Sequence, residues 1–193
     1  NILKIIPYKT NKAKIKLNPM MEADIIPRHA SSVVFSGRSG SGKSNLMVNL
    51  LTREQFYKGY FDLIFLFSPT AKSDDLAMYL KLPDKRIFTD FNSDALENIF
   101  NIQRDIIEKK GITKSPKILI IFDDIISNVK FMNSKAFKMA FIQNRHINVS
   151  TFVCTQSLKK LPKMCRDQAN NIFMFPASQS EQINFVEDFC PPH

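Results

Sequence analysis

Apolar and polar positions alternate in blocks along most of this chain. Short apolar runs rich in β-branched and aromatic residues occur at five places: residues 31–36, 60–68, 117–123, 149–155 and 170–175. Each run is too uniformly apolar for a half-exposed strand and is typical of a strand buried on both faces of a parallel sheet. Polar stretches separate the runs. Because strand and helix alternate, we predict an α/β fold with a mainly parallel central sheet flanked by helices.

The clearest helix is predicted between the second and third runs. Asn92 to Asp94 provides a capping signal, and Gly111 after two lysines provides a C-terminal stop. Apolar residues of the segment recur at the helical period and share one face: Leu96, Ile99, Phe100, Ile106 and Ile107. This face predicts a helix packed on the sheet.

Residues 1–30 follow a different pattern. Two short alternating runs, ILKIIPY and KAKIKL, are separated by KTNK, and lysines outnumber acidic residues in this segment. We predict a small N-terminal β-ribbon extension over residues 1–30, followed by one globular domain over residues 31–193.

The overall charge of the chain bears on its partners. Across 193 residues, 27 lysines and arginines exceed 18 acidic residues and give a net charge of +9. Such a surplus favours a polyanionic partner, either nucleic acid or an acidic membrane surface, although some basic proteins are merely basic. The apolar runs are far shorter than the roughly 20 residues of a membrane span, so no membrane-spanning segment is expected.

Three cysteines are present: Cys154, Cys165 and Cys190. They lack both the C-x-x-C spacing of a zinc site and the even number of a disulfide framework. Their use favours a reducing, intracellular compartment.

The stretch GRSGSGKS, residues 37–44, satisfies the pattern G-x-x-x-x-G-K-[ST] between a predicted strand and a predicted helix. Backbone N–H groups of such a loop point at phosphate oxygens, and the helix N-terminus adds positive potential. Lys43 would neutralise the β and γ phosphates, and the Ser44 hydroxyl would bind Mg²⁺. The whole stretch is therefore predicted to bind nucleotide: Gly37, Arg38, Ser39, Gly40, Ser41, Gly42, Lys43 and Ser44. A chance turn is the alternative.

The run ILIIFDD ends in two carboxylates, as a Walker B element does. Asp123 would hold Mg²⁺, and Asp124 would orient or deprotonate the attacking water. The alternative is that the two aspartates are the N-cap of a helix and its neighbour, with no role in metal binding or hydrolysis.

Gln156 follows the run at 149–155. If that strand lies between the strand before the Gly-rich loop and the Walker B strand, the Gln156 amide can hydrogen-bond the attacking water or the γ-phosphate. Without that strand order, Gln156 would be an ordinary surface residue with no role in hydrolysis.

In this order, GRSGSGKS, ILIIFDD and RHINVSTFVCTQ resemble the genome-packaging ATPases of poxviruses, other large nucleocytoplasmic DNA viruses and their virophages, a branch of the FtsK–HerA superfamily. The resemblance covers residues 31–176. It implies a RecA/FtsK-like P-loop fold with ATP and Mg²⁺ as cofactors. It also implies a pentameric or hexameric ring that drives double-stranded DNA into a capsid, with capsid proteins as further partners, in the host cytoplasm or the virion. One departure is Asp124, where the superfamily usually has glutamate.

The resemblance also implies an arginine that a neighbouring subunit supplies to the transferring phosphoryl group. Arg145, which precedes the strand that ends in Gln156, is the first candidate, Arg166 the second and Arg38 the third. An ordinary solvated arginine is the alternative for Arg145. His29 and His146 show no pattern of a metal or acid–base site and are interpreted as structural.

Basic residues follow the two predicted strands that end in the Walker B carboxylates and in Gln156: Lys130, Lys135 and Lys138 after the Walker B element, and Lys159, Lys160, Lys163 and Arg166 after Gln156. Loops at these places could contact DNA phosphates in a central pore without reading bases. Solvated helix faces are the competing interpretation for each lysine.

Two other functions stay open on the sequence alone. A P-loop small-molecule kinase would need an arginine-rich lid, which KKLPKMCR, residues 159–166, imitates only weakly. A non-hydrolysing, nucleotide-dependent interaction module would be marked by loss of Lys43 or of the Walker B acid, and both are present.

Overall fold

The computed structural model describes residues 19–71 and 75–190. The two alternating runs behind the predicted β-ribbon lie outside the described residues. The described remainder of that segment forms a short helix, α1 (Pro19–Glu22), followed by turns. Met21 and Ile26 are buried in the core. The boundary between extension and domain stays a prediction.

Six strands form one sheet, and every pairing among the described residues is parallel. The strand order is β3-β2-β4-β5-β1-β6, with these bounds: β1 (Ser32–Ser36), β2 (Leu63–Phe67), β3 (Ile87–Phe88), β4 (Ile118–Phe122), β5 (Val149–Thr155) and β6 (Asn171–Met174). The predicted α/β fold is confirmed, and all five predicted strands are present. Strand β3 was not predicted, because its two residues give no periodic signal.

Helices lie between the strands and after β6: α2 (Lys43–Thr52), α3 (Asp75–Tyr79), α4 (Ser93–Lys110), α5 (Val129–Met132), α6 (Lys135–Ile142), α7 (Lys163–Asp167) and, after β6, α8 (Gln179–Phe189). Helix α4 is the one predicted from the capping signal. The Asn92 side chain accepts hydrogen bonds from the amides of Asp94 and Ala95, and Gly111 ends the helix with φ of 79°. Among the described residues, no helix combines the length and apolar character that crossing a membrane requires.

The central strands are uniformly apolar because each of their faces packs on a separate core. In β4, Ile120 and Phe122 face the core shared with α4 and α6, whereas Leu119 and Ile121 face the core shared with α2. All five side chains of β4 are buried. Alternation of side chains across the sheet therefore leaves no solvent-facing position.

The register of the sheet determines where the Gly-rich loop, the Walker B carboxylates and Gln156 meet. Ser36 of β1 pairs with Thr155 of β5, and Phe122 of β4 pairs with Val153 of β5. Strand β5 thus lies between β1 and β4, as the prediction for Gln156 required. The three segments that follow these strands come together at the carboxyl edge of the sheet.

Candidate nucleotide-binding and hydrolysis site

The Gly-rich loop runs from the end of β1 to the start of α2, and two of its glycines are required by geometry. A Cβ at Gly37 would lie 2.5 Å from Cβ of Phe175, which is closer than real Cβ atoms come. Gly42 has φ of 97° and precedes the first residue of α2. Any other residue would be strained there, since the left-handed region is unfavourable for side chains with a Cβ.

Lys43 opens α2 and holds the loop in its curled shape. Its Nζ atom donates hydrogen bonds to the carbonyl oxygens of Gly37 and Arg38, both at 2.8 Å. The ammonium group therefore lies inside the loop that is predicted to bind phosphate. Because it is also at the N-terminus of a ten-residue helix, two sources of positive potential coincide.

The residues present fit a bound phosphate and Mg²⁺. The Ser41 hydroxyl is buried in the loop and has no hydrogen-bond partner among the described residues. A buried polar group of this kind is costly unless a ligand or water satisfies it. The Ser44 hydroxyl and the Asp123 carboxylate are hard oxygen ligands of the type that Mg²⁺ prefers.

Asp123 directly follows β4, and its side chain is almost fully buried, with 8% of the residue exposed. The thiol of Cys154, on the neighbouring strand β5, hydrogen-bonds this carboxylate. Burial raises the pKa of the Cys154 thiol well above its usual range, and the negative charge of Asp123 raises it further. A protonated thiol donates, so Cys154 fixes one side of the carboxylate.

Asp124 has φ of 51°, in the left-handed region. Asp and Asn adopt this conformation several times more often than most residues. The backbone thus gives a physical reason for aspartate at a position where the superfamily usually has glutamate. The Asp124 Oδ1 atom accepts a hydrogen bond of 3.0 Å from Nε2 of Gln156. The two side chains predicted to handle the attacking water are therefore in direct contact.

These groups line one open cavity of about 530 Å³. Lys43 and Ser44 form one wall, and Asp123, Asp124 and Gln156 form another. Ser39 of the Gly-rich loop also lines the cavity, so the structure brings together residues of three predicted motifs that lie up to 117 positions apart in the chain. Their assigned roles stay predictions.

Sequence reasoning missed several residues at this site. Thr70, after β2, and Tyr79, at the end of α3, also line the cavity. Thr70 carried a usable signal, because β2 is parallel to β4 and ends at the same edge. Cys154 and Phe175 carried none, since each role depends on a contact across strands.

Arg145 lies away from this cavity. It is exposed and precedes β5, so the whole length of that strand, Val149–Thr155, lies between it and Gln156. At about 3.3 Å per residue, that strand spans roughly 20 Å. Arg145 therefore cannot reach the cavity of its own chain, and its predicted role requires a neighbouring subunit.

Arg166 does not fit its predicted roles as a trans-acting arginine or a DNA contact. Only 9% of the residue is exposed. One guanidinium nitrogen donates to the carbonyl oxygens of Lys159 and Leu161, at 2.9 and 3.0 Å, and the other pairs with Asp188 at 3.2 Å. The sequence could not reveal this burial, because one arginine in a polar segment gives no packing signal. Arg38 is exposed within the Gly-rich loop and stays a candidate.

The predicted DNA-contacting lysines are mostly accessible. Lys130, Lys135 and Lys160 are exposed, and Lys138 is half-buried. Lys159 donates to Asn184 Oδ1 at 3.2 Å, and Lys163 pairs with Asp167 of its own helix at 3.2 Å. Lys130, Lys135 and Lys160 are therefore the better candidates.

The fold and the site together define a P-loop ATPase. Residues 22–188 match the profile of the poxvirus A32 protein family, and the chain belongs to that family. This match confirms the resemblance that the motifs indicated. A comparison with curated proteins found no match.

Solved structures share the fold at low sequence identity. The DNA-packaging ATPase B204 from Sulfolobus turreted icosahedral virus is 18% identical with a TM-score of 0.59, and the alignment covers 82% of each chain. The genome-packaging NTPase B204 from Sulfolobus turreted icosahedral virus 2, in complex with AMP, is 18% identical with a TM-score of 0.60 over 84% of each chain. The structure of the same NTPase in complex with ATP-gammaS is 18% identical with a TM-score of 0.56, and the alignment covers 83% of this chain and 82% of that chain.

Proposed function

We propose that this protein is an ATP-hydrolysing motor that moves viral double-stranded DNA into a capsid. The observation that carries the proposal is the meeting of Lys43, Asp124 and Gln156 around one cavity in a member of the A32 protein family. The fold it shares with the genome-packaging proteins of two Sulfolobus turreted icosahedral viruses supports the same function.

Hydrolysis would use the residues of the carboxyl edge in distinct roles. Lys43 would exchange its two loop carbonyls for phosphate oxygens, which gain more from a positive charge in the transition state. Mg²⁺, held by Ser44 and Asp123, would supply further positive charge beside the phosphates. Asp124 would accept a proton from the attacking water. Gln156, held against Asp124, would orient that water.

The arginine for the transition state would come from a second copy of this chain. Arg145 is exposed and lies at the opposite edge of the sheet from its own cavity. A closed ring places one edge of each subunit against a different surface of the next, as a heterologous interface requires. We propose a ring of five or six subunits with Arg145 reaching the neighbour's nucleotide.

Contact with DNA would be electrostatic and independent of base sequence. The net charge of +9 and exposed lysines such as Lys130 and Lys160 suit phosphate contacts. In this proposal the protein acts inside the infected cell, in the cytoplasm or the virion, with capsid proteins as further partners.

The kinase alternative is less well supported. Its lid would need a mobile arginine in the segment KKLPKMCR, and Arg166 is instead buried among its own carbonyl partners and Asp188. A product analysis with added nucleoside and nucleotide acceptors separates the two: both leave ADP, but a motor releases the γ-phosphate as inorganic phosphate, whereas a kinase transfers it to the acceptor.

Displacement of a third strand from duplex DNA tests the motor function. A labelled triplex-forming oligonucleotide should be released from duplex DNA only when ATP, Mg²⁺ and the intact protein are present. Lys43→Ala provides the inactive control. Phosphate release that is unaffected by duplex DNA, with no strand displacement, would contradict the proposal.

A further inference from the structure

Helix α8 is hydrogen-bonded to the loop that follows Gln156, and the contact is centred on Glu181. The Glu181 Oε1 atom accepts a hydrogen bond of 2.6 Å from the Ser157 hydroxyl, and its Oε2 atom accepts one of 3.0 Å from the backbone amide of Leu158. Both carboxylate oxygens therefore bind the two residues directly after the predicted water-orienting glutamine.

The position of Glu181 in its helix makes this contact unusual. Ser178 caps α8, and its side chain accepts from the Glu181 amide, which places Glu181 three residues after the cap. A glutamate at that position ordinarily turns back to the amide of the capping residue and completes a capping box. Here the carboxylate instead binds a different segment of the chain.

Two further contacts join α8 to the region after β5. Lys159 Nζ donates to Asn184 Oδ1 at 3.2 Å, and Arg166 pairs with Asp188 at 3.2 Å. Arg166 is also tied to the carbonyl oxygens of Lys159 and Leu161. The loop is thus held along its length, and Glu181 holds the end nearest to the nucleotide cavity.

Gln156 needs such support. Its side chain is exposed, yet it must stay within hydrogen-bond distance of Asp124 Oδ1, which it contacts at 3.0 Å. An exposed glutamine otherwise samples many rotamers, and ordering it costs free energy. Fixing the next two residues removes much of the backbone freedom that would carry Gln156 away from Asp124.

We propose that Glu181 is a positioning residue for ATP hydrolysis: its carboxylate fixes the backbone after Gln156 and thereby holds the Gln156 amide against Asp124. This role rests on the proposed ATPase function. Glu181 lies outside the cavity lining and acts only through Gln156. Its removal should therefore slow turnover without weakening nucleotide binding.

Steady-state hydrolysis by the full chain provides the first test. Glu181→Ala should lower kcat by about tenfold, because misplacing a reacting group costs up to about a hundredfold, while KM for ATP stays within about twofold. Glu181→Gln and Ser157→Ala each remove part of the contact and should give smaller losses in the same direction. Glu187→Gln, at an exposed glutamate of the same helix, is the matched control and should behave as the parent.

The side-chain amide signal of Gln156 in a ¹⁵N-correlated NMR spectrum provides a test that does not need hydrolysis. Glu181→Ala and Ser157→Ala should shift this signal toward that of a free glutamine amide, and Glu187→Gln should not. An unchanged Gln156 signal in folded Glu181→Ala or Ser157→Ala, or turnover equal to that of Glu187→Gln, would overturn the proposal. A parent protein that hydrolyses no ATP would instead refute the ATPase function, and the amide signal would still decide whether Glu181 holds Gln156 against Asp124.

Discussion

The two edges of the central sheet use polar side chains in opposite ways. At the carboxyl edge, Lys43, Asp123 and Asp124 line an open cavity that a ligand can enter. At the amino edge, the polar side chain of His29 is satisfied within the chain. Its Nδ1 atom lies 2.7 Å from the Ser150 hydroxyl, and its Nε2 atom lies 2.9 Å from Asn148 Oδ1.

Burial sharpens this difference. The His29 ring packs edge-on against Tyr60 and Phe61, and burial lowers its pKa from the ordinary 6.5 to about 4. A neutral histidine with both nitrogens satisfied supports a fold. Charged groups that face a cavity at strand ends support chemistry, as expected for an open parallel sheet. The comparison therefore separates residues whose loss stops function from residues whose loss weakens folding.

The largest effect is expected at Lys43. Lys43→Ala should abolish both nucleotide binding and hydrolysis, because it removes the positive charge within the phosphate loop. Phosphate release and binding of a fluorescent ATP analogue measure the two losses. The control Lys114→Ala, at an exposed lysine before β4, should retain parent activity. Hydrolysis at the parent rate by Lys43→Ala would remove the phosphate-binding role of the loop.

Arg145 breaks the simple division between the edges, because its predicted target is the cavity of another subunit. Arg145→Ala should retain ATP binding and assembly yet lose about a thousandfold in kcat, the lower range for an arginine supplied in trans. Mixed with Lys43→Ala subunits, which keep Arg145, it should recover some activity at mixed interfaces.

Co-assembly without recovery, while Arg145→Ala still binds ATP, would count against action in trans. Arg38 would then become the first candidate, because Arg166 is buried.

The two adjacent carboxylates should differ in their effects. Asp124→Asn keeps a residue that tolerates positive φ and removes the base, so it should retain nucleotide and lose about a hundredfold or more in kcat. Asp123→Asn should instead raise the Mg²⁺ concentration needed for half-maximal activity. A magnesium titration of both variants measures the difference, with the exposed Asp105→Asn as control. Identical behaviour of the two variants would refute the division of roles.

The smallest effect is expected at His29 and concerns stability. Because its folded pKa of about 4 lies below the unfolded value of 6.5, the unfolded state binds more protons between these values. The free energy of unfolding should therefore fall as the pH drops from 7 to 4.5, by up to about 3 kcal/mol from this group. Lys117 lowers and Asp62 raises the His29 pKa, and both effects are smaller than that of burial.

Urea unfolding at several pH values measures this dependence. His29→Gln should flatten the curve in that window, whereas His146→Gln, at an exposed histidine, should leave its slope unchanged. A parent slope that survives in His29→Gln would assign the pH dependence to other groups.

Much of the fold could be predicted from local pattern. The five uniformly apolar runs predicted buried parallel strands because both faces of β4 and β5 are covered. The limits of α4 were predicted because Asn92 and Gly111 act within a few residues of the backbone they cap. The Gly-rich loop was recognisable since its spacing reflects backbone geometry at Gly37 and Gly42.

The rest depended on contacts that sequence order does not show. The hydrogen bond between Cys154 and Asp123 links β5 to the end of β4, and the hydrogen bond from the Leu158 amide to Glu181 links a helix to a distant loop. The burial of Arg166 follows from its three partners in the fold. The two-residue strand β3 is defined by its pairing with β2, and its own sequence carries no strand signal.

A crystal structure with Mg²⁺ and a non-hydrolysable ATP analogue tests the central claim most directly. The β and γ phosphates should lie in the Gly-rich loop, and Lys43 Nζ should leave the carbonyl oxygens of Gly37 and Arg38, now 2.8 Å away, to contact phosphate oxygens. The metal should lie between Ser44 and Asp123. A nucleotide bound elsewhere, or Lys43 unmoved with phosphate absent from the loop, would contradict the account.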